Sequence, residues 1–404
     1  MTETIAIVGA GHAAGQAIAT LKQNKFNGRI VLIGDEPYLP YQRPPLSKKY
    51  LAGELAAERL YVKPAAFYEN AQIELRLNTR VCSIDRSARR LTTIDNDEVA
   101  YDKLILALGS RVRKLQVEGS DLEGIHYLRS IADADGIRAA ISTGKRVVIV
   151  GAGYIGLEVA AVCRQRGLDV TVLEMADRVM SRAVSSQVSD FYQKMHESHG
   201  VKLSLSTGIN RLRGDGAVHS VITSDGQTLA ADFVVVGVGI LPNVELAESA
   251  GLEVNDGIVV TDQCQTSDSD IYAVGDCTSH PNAIYDTQLR LESVHNALEQ
   301  AKTAAGNICG VEMHYSQVPW FWSDQYDLKL QIAGLSQGYD KAILRGDPES
   351  ARFSCLYLKE GILIAVDAIN SPKDFLQSKV LIAKRARIDP QRLSNVDVPL
   401  KDLG

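Results

Sequence analysis

RVVIVGAGYIGLEVAAVC, Arg146–Cys163, is the stretch on which the fold turns. A short run rich in β-branched residues reads as a buried strand. Gly151, Gly153 and Gly156 follow at the spacing G-x-G-x-x-G, and a stretch of good helix formers begins. Another apolar run, DVTVLE (Asp169–Glu174), comes next. Strand, glycine turn, helix and strand in this order make the β-α-β unit that binds a dinucleotide. The first glycine makes the tight turn. The second lets backbone amides approach a pyrophosphate, which sits on the positive end of the helix. Glu174 ends the second strand, 23 residues after Gly151. A carboxylate there accepts hydrogen bonds from the ribose hydroxyls and repels a 2′-phosphate. No arginine follows at once, so NADH is expected over NADPH.

The same pattern opens the chain. TIAIVGAGHAAGQAIATL starts at Thr4, 142 residues earlier counted from Gly9 to Gly151, and is followed by the strand RIVLIGDE at Arg29. Gly9 and Gly11 hold the first two positions, and Ala14 replaces the third glycine, a permitted variant. Asp35 is the expected ribose ligand, with Glu36 the competitor because Gly34 adds one residue to the usual spacing. Two fingerprints in full strand–turn–helix–strand context are far more specific than one. YDKLILALGSRVR (Tyr101–Arg113) and ADFVVVGVGILPN (Ala231–Asn243) are apolar strands running into small-residue turns. SDIYAVGDCTSH (Ser269–His280) is another, ending in Gly275-Asp276, where Asp276 taken alone reads as a helix N-cap.

Bulk properties narrow the classes. The chain has 404 residues, enough for two to four domains and cores that need no staples. A net charge of −6 argues against a nucleic-acid binder. No apolar run is long enough to span a membrane, and the start of the chain lacks the pattern of a signal peptide. The six cysteines (Cys82, Cys163, Cys264, Cys277, Cys309 and Cys355) form no C-x-x-C pair, which fits scattered buried thiols in a reduced cytoplasm. No His/Cys spacing suggests a metal or a resident iron–sulfur cluster.

One further stretch is unusual: YQRPPLSKKYL, Tyr41–Leu51. Pro44 and Pro45 fix φ and remove two donors, so a stiff, extended lead-in is expected, with Ser47 capping a short helix. A lysine on such a lead-in, Lys48, can be held in place; Lys49 is expected outside. Glu158 lies two residues beyond the last fingerprint glycine and is expected to pair with Lys48 across the domain cleft.

An Ala/Val-x-Gly-Asp stretch after two nucleotide folds resembles the two-dinucleotide flavoprotein reductases. Within them the chain is similar to the NADH-dependent ferredoxin reductases that serve bacterial haem monooxygenases and ring-hydroxylating dioxygenases. The matching stretches are RPPLSKKYL, GAGYIGLEVAA, GVGILPN, IYAVGDC, ESVHNALEQA (Glu292–Ala301) and PWFWSDQYDLKLQIAGL (Pro319–Leu335), which span nearly the whole chain. The resemblance implies FAD contacts at Gly9, Gly11, Ala13, Ala14, Asp35, Arg43, Lys48, Val81 (backbone), Ala107, Gly109, Arg129, Gly275, Asp276 and Val294. It implies NADH contacts at Gly151, Gly153, Tyr154, Ile155, Gly156, Glu158, Glu174 and Gly239. It sets Glu292 and Trp320 near the isoalloxazine and gives Lys48 the flavin N5/O4 edge, where a cation favours reduced flavin.

The implied architecture is α/β: two Rossmann-like, glutathione-reductase-like domains plus a smaller α+β C-terminal domain. The FAD domain is expected at 1–110 and 244–320, the NADH domain at 111–243 and the last domain at 321–404. KEG between two apolar runs marks a hairpin in that last region. With no cysteine pair to carry them, electrons taken from NADH by the flavin should leave one at a time to an external acceptor. The expected partner is a [2Fe-2S] ferredoxin in a transient, electrostatic complex, docked on a basic patch such as Arg111/Arg113 or Lys384/Arg385/Arg387, with the reductase itself a monomer. Reduction of a rubredoxin or a small-molecule radical, or an NADH-sensing flavoprotein resembling apoptosis-inducing factor, are the alternatives.

Overall fold

A computed structural model describes residues 3–403. The chain divides into two compact units. The first comprises Met1–Gln42, Ala57–Arg111 and Leu241–Pro319; the second comprises Arg43–Ala56, Val112–Ile240 and Trp320–Gly404.

In the first unit, five parallel strands form one sheet in the order Ile271–Ala273, Lys103–Leu106, Thr4–Val8, Arg29–Ile33, Glu74–Arg76. Side chains alternate across a strand, so Ile5 and Ile7 face one way and Ala6 and Val8 the other. Ile5 and Ile7 pack with Ala14, Ala17, Ile18 and Leu21 of the helix His12–Gln23 and with Ala301, Ala304 and Ala305 of the helix Val294–Ile308. Small alanines on both helices let them lie close. Ala6 and Val8 join a separate core with Leu91 and Val99. Those two residues come from a three-stranded antiparallel sheet, Val81–Asp85, Arg90–Thr93 and Glu98–Ala100. The expectation that the thiols are buried fails here: Cys82 sits at an outward position of the strand Val81–Asp85 and is exposed, and Cys309 is half-buried.

In the second unit the sheet order is Lys202–Ser204, Asp169–Leu173, Arg146–Val150, Phe233–Val236, Ile125–Tyr127, again all parallel. The helix Ile131–Thr143 starts with a reciprocal capping box between Ser130 and Asp133. Trp320 onward builds an antiparallel sheet in the order Trp320–Gln325, Leu328–Gly334, Ile362–Ile369, Arg352–Lys359, Lys341–Asp347. The hairpin signal KEG is correct: Glu360 and Gly361 both have positive φ, as a two-residue type I′ turn needs. The helix Pro372–Ala383 packs on this sheet. The fold is therefore two Rossmann-like parallel sheets plus an antiparallel C-terminal sheet with a helix.

The proline-rich stretch differs from its expectation. Pro44–Ser47 is a 3-10 turn, with the prolines in its first positions, not an extended lead-in. Proline suits a first turn because its fixed φ is helical and the N–H it lacks would have no partner there. Ser47 ends the turn instead of capping a helix. The segment is tied to the second unit by Tyr50, whose hydroxyl donates to Asp135 Oδ1 at 2.8 Å and whose ring lies under the Arg138 guanidinium. Arg43 adds a hydrogen bond from Nη1 to the Arg129 carbonyl at 2.6 Å.

The end of the chain is held by one buried guanidinium. Arg345 is 5% exposed and donates to the carbonyls of Leu393, Asn395, Val396 and Val398, with Asp374 3.3 Å from its Nε. Arg345→Ala removes the shared donor from those carbonyls and should lower stability by about 2–3 kcal/mol. Denaturant unfolding measures the loss, and limited proteolysis should cut first around residues 393–398.

Candidate functional site

Each glycine fingerprint builds an anion cradle from backbone alone. Gly9 has φ +104°, and a Cβ there would meet the Ala107 carbonyl oxygen at 2.2 Å. Only glycine brings the turn this close to the neighbouring strand. Gly11 is the N-cap of the helix His12–Gln23, with no side chain on the exposed amides and no acid in the first turn. A Cβ on Gly11 would meet nothing within 4 Å, so the amides open onto free space. Gly153 repeats this at the helix Tyr154–Gln165: no side-chain cap, no first-turn acid and open space at its Cβ position. Gly151, at φ +103°, would clash with the Gly237 carbonyl oxygen at 2.4 Å, and Gly156 with that of Gly151 at 2.0 Å. Two uncapped positive helix ends with open approach fit two dinucleotide pyrophosphates.

Around the first cradle, Ala13 and Ala14 are buried in the helix, Val81 and Ala107 are buried at strand ends, and Gly109 turns at φ +61°. Gly275 has φ +88° and donates to Gln300 Oε1 at 2.7 Å. Gln300 also accepts from Thr278 Oγ1 and Asn296 Nδ2, so one buried amide oxygen pins the Gly275-Asp276 turn. Asp276 accepts from Ser110 Oγ at 2.8 Å. It caps no helix: a strand, Thr278–Asn282, follows, and Ser293 is the N-cap ahead of Val294. Asp35 is exposed, and Glu36 accepts from the Tyr41 hydroxyl at 2.7 Å. Glu292 is exposed and paired with Arg290 at 2.5 Å.

Around the second cradle, Glu174 accepts from the Ala152 amide at 2.7 Å and the Ala176 amide at 2.9 Å. Its carboxylate is fixed against the fingerprint turn. Gly239 has φ +104° and open space beside it. Ile155 is 44% exposed, and Tyr154 packs edge-on to Phe321 with ring centroids 4.7 Å apart.

The expected ion pair is present, but it does not cross a domain cleft: the segment Arg43–Ala56 that carries Lys48 packs in the same unit as Glu158. Lys48 Nζ is 2.7 Å from Glu158 Oε2, with side-chain exposures of 15% and 4%. Ser47 Oγ donates to the same oxygen, and Ser323 Oγ donates to Glu158 Oε1 at 2.6 Å. An isolated buried carboxylate is costly, and this one is satisfied by an ammonium and two hydroxyls. The strand Trp320–Gln325 supplies Ser323 from one face, along with Phe321 and Gln325. From the other face, Trp320 stacks edge-on to Phe375 and lies under the Lys379 ammonium. Arg111 does not stand alone as a basic patch, since it pairs with Glu245.

The sequence reading missed the hydrogen bonds of Ser47 and Ser323 to Glu158, and it missed Asp367. For the serines no motif signal exists; only the period-two pattern of the strand places Ser323 on the face of Phe321. Asp367 is 1% exposed on the strand Ile362–Ile369, with the Tyr357 hydroxyl donating to Oδ2. Burial pushes its carboxyl up to about 7. The unfolded carboxyl releases its proton near pH 4, so the folded state binds the extra proton between those values, and stability falls as pH rises through that window. Urea unfolding should show a loss of about 2–3 kcal/mol between pH 5 and pH 8 from this group, absent in Asp367→Asn.

Two parallel dinucleotide folds with open helix ends, and six unpaired thiols, define a two-nucleotide oxidoreductase without a redox disulfide. The chain belongs to the pyridine nucleotide-disulphide oxidoreductase family, whose profile matches residues 3–301, and a reductase C-terminal profile matches 320–404. It is 43% identical over 399 residues to rhodocoxin reductase of Rhodococcus erythropolis, covering 98% of this chain and 93% of that protein. It is 42% identical over 408 residues to a ferredoxin–NAD(P)(+) reductase of a Sphingomonas species, covering 100% and 98%. The crystal structure of the covalent putidaredoxin reductase–putidaredoxin complex matches with TM-score 0.96 at 40% identity, covering 99% of this chain and 97% of that one. No helix among the described residues is long and apolar enough to cross a membrane.

Proposed function

We propose that this chain is an FAD-dependent NADH:ferredoxin oxidoreductase that supplies electrons to a haem monooxygenase or a ring-hydroxylating dioxygenase. The observation that carries the reading is the pair of uncapped, open helix ends at Gly11 and Gly153 in a chain whose cysteines are all unpaired. Relatives that share nearly its full length are a rhodocoxin reductase and a ferredoxin–NAD(P)(+) reductase.

FAD, when bound, would supply the redox chemistry that links a two-electron nicotinamide donor to a one-electron acceptor. The chain supplies binding and orientation. The amides after Gly9 and Gly11 would hold the FAD pyrophosphate, Asp35 its ribose, and Asp276 the ribityl chain. Ala13, Ala14, Arg43, Val81, Ala107, Gly109, Arg129, Gly275 and Val294 line the same molecule. Gly151, Gly153 and Gly156 with Tyr154 and Ile155 hold NADH, and Gly239 leaves room beside it. Glu174 receives the ribose hydroxyls on a carboxylate already oriented by two backbone amides. Lys48, held by Glu158, would supply a cation to bound flavin, and Glu292 and Trp320 would act on the same group. The domain roles follow: 1–110 with 244–320 for FAD, 111–243 for NADH, 321–404 for the partner side. The partner is a [2Fe-2S] ferredoxin, met transiently on a surface carrying Lys384 and its neighbours, by a monomeric reductase. Unpaired thiols suit a reducing cytoplasm.

Purified protein should be yellow, NADH should bleach it, and cytochrome c should be reduced rapidly only when a [2Fe-2S] ferredoxin is added. Turnover with rubredoxin alone would redirect the acceptor; a colourless chain with no dinucleotide affinity would end the reading. Glu174→Ala should lower the NADH-over-NADPH ratio of kcat/KM by about tenfold, the loss of one good ribose contact together with the charge repulsion.

A further inference from the structure

The Glu158 carboxylate does not end its hydrogen bonding at Ser323. Ser323 Oγ accepts from Gln325 Nε2 at 3.1 Å, and Gln325 Oε1 receives His196 Nε2 at 2.8 Å. All four side chains are buried: Glu158 is 3% exposed, Gln325 1%, and Ser323 and His196 0%. The directions are fixed in series. Gln325 gives an N–H to Ser323, so Ser323 turns its O–H to Glu158. The Gln325 carbonyl then faces His196, which must carry its proton on Nε2. Every donor in the row points toward Glu158. Burial lowers the His196 pKa to about 4, so the ring is neutral at neutral pH and can hold that tautomer. An amide in the middle of the row does not pass a proton under these conditions, so the row orients and does not conduct.

Glu158 could reach its ammonium partner in more than one rotamer if only Lys48 and Ser47 held it, since both act on Oε2. Ser323 is the group that fixes the other oxygen. We propose that Ser323, backed by Gln325 and His196, is a positioning residue for Lys48: it locks the Glu158 carboxylate, which in turn sets where the ammonium stands. This rests on the reductase reading for its consequence at the flavin, though not for the geometry.

Two measurements on the FAD-containing protein test it. In the first, lysines are acetylated with limiting acetic anhydride, and Lys48 is compared with its exposed neighbour Lys49 by peptide mass spectrometry. Ser323→Ala should raise the Lys48-to-Lys49 labelling ratio by about tenfold, as expected for loss of one hydrogen bond to a charged group, and Ser323→Thr, which keeps the hydroxyl, should restore it. In the second, the midpoint potential of bound FAD should move in Ser323→Ala in the same direction as in Lys48→Met and by less, with Ser323→Thr unmoved. An unchanged labelling ratio in Ser323→Ala overturns the proposal. So does a ratio raised equally in Ser323→Thr, because packing and not the hydroxyl would then be at work. If the chain binds no flavin, the functional reading fails while the labelling result still decides this one.

Discussion

A carboxylate that is 4% exposed at its side chain must be satisfied from every side, and Glu158 recruits its partners from two distant parts of the sequence. Ser47 and Lys48 come from the 3-10 turn after Arg43, Glu158 from the second fingerprint helix, and Ser323 from the first strand of the C-terminal sheet. Removing Lys48 would leave the buried charge without its counter-ion, an effect on the order of 3–5 kcal/mol for a broken buried pair, and removing either serine would cost the carboxylate one hydrogen bond. This explains why the short segment 43–56 packs with the second unit although its flanks belong to the first. Tyr50 on Asp135 and Arg43 on the Arg129 carbonyl reinforce the same attachment.

The two cradles work by a different logic. They rely on what is missing: no side chain at Gly11 or Gly153, no cap on the first amides, no acid in the first turn. Glycines at the preceding turns are forced by distance, because any Cβ at Gly9 or Gly151 would overlap a carbonyl of the adjacent strand. Anion binding and strand packing therefore demand the same short glycine pattern, and one motif reports both.

That coincidence is why so much of the fold could be read in advance. The β-α-β units, the hairpin at Glu360-Gly361 and the pairing of Lys48 with Glu158 follow from local spacing or from a resemblance carried by contiguous motifs. What could not be read depends on contacts between residues far apart in sequence. Nothing local tells that Ser47 turns to Glu158, that Asp276 takes Ser110 as its partner, or that Asp367 lies among Tyr357 and apolar neighbours. Two errors were conformational. Consecutive prolines are compatible with an extended chain and with a first helical turn, and only the surroundings of Leu46 and Ser47, both buried, select the turn. Cys82 lies on a strand, and its face depends on which side of that small sheet meets the core.

The strand Trp320–Gln325 separates two duties by the parity of its residue numbers. Odd positions (Phe321, Ser323, Gln325) serve the nucleotide fingerprint and its carboxylate, and Trp320 among the even ones meets Phe375 and Lys379. Substitutions at the other even positions, Trp322 and Asp324, can change that face while the Glu158 alignment stays intact. A lineage adapting to a new electron acceptor could drift along one side of this ribbon and leave the other side untouched.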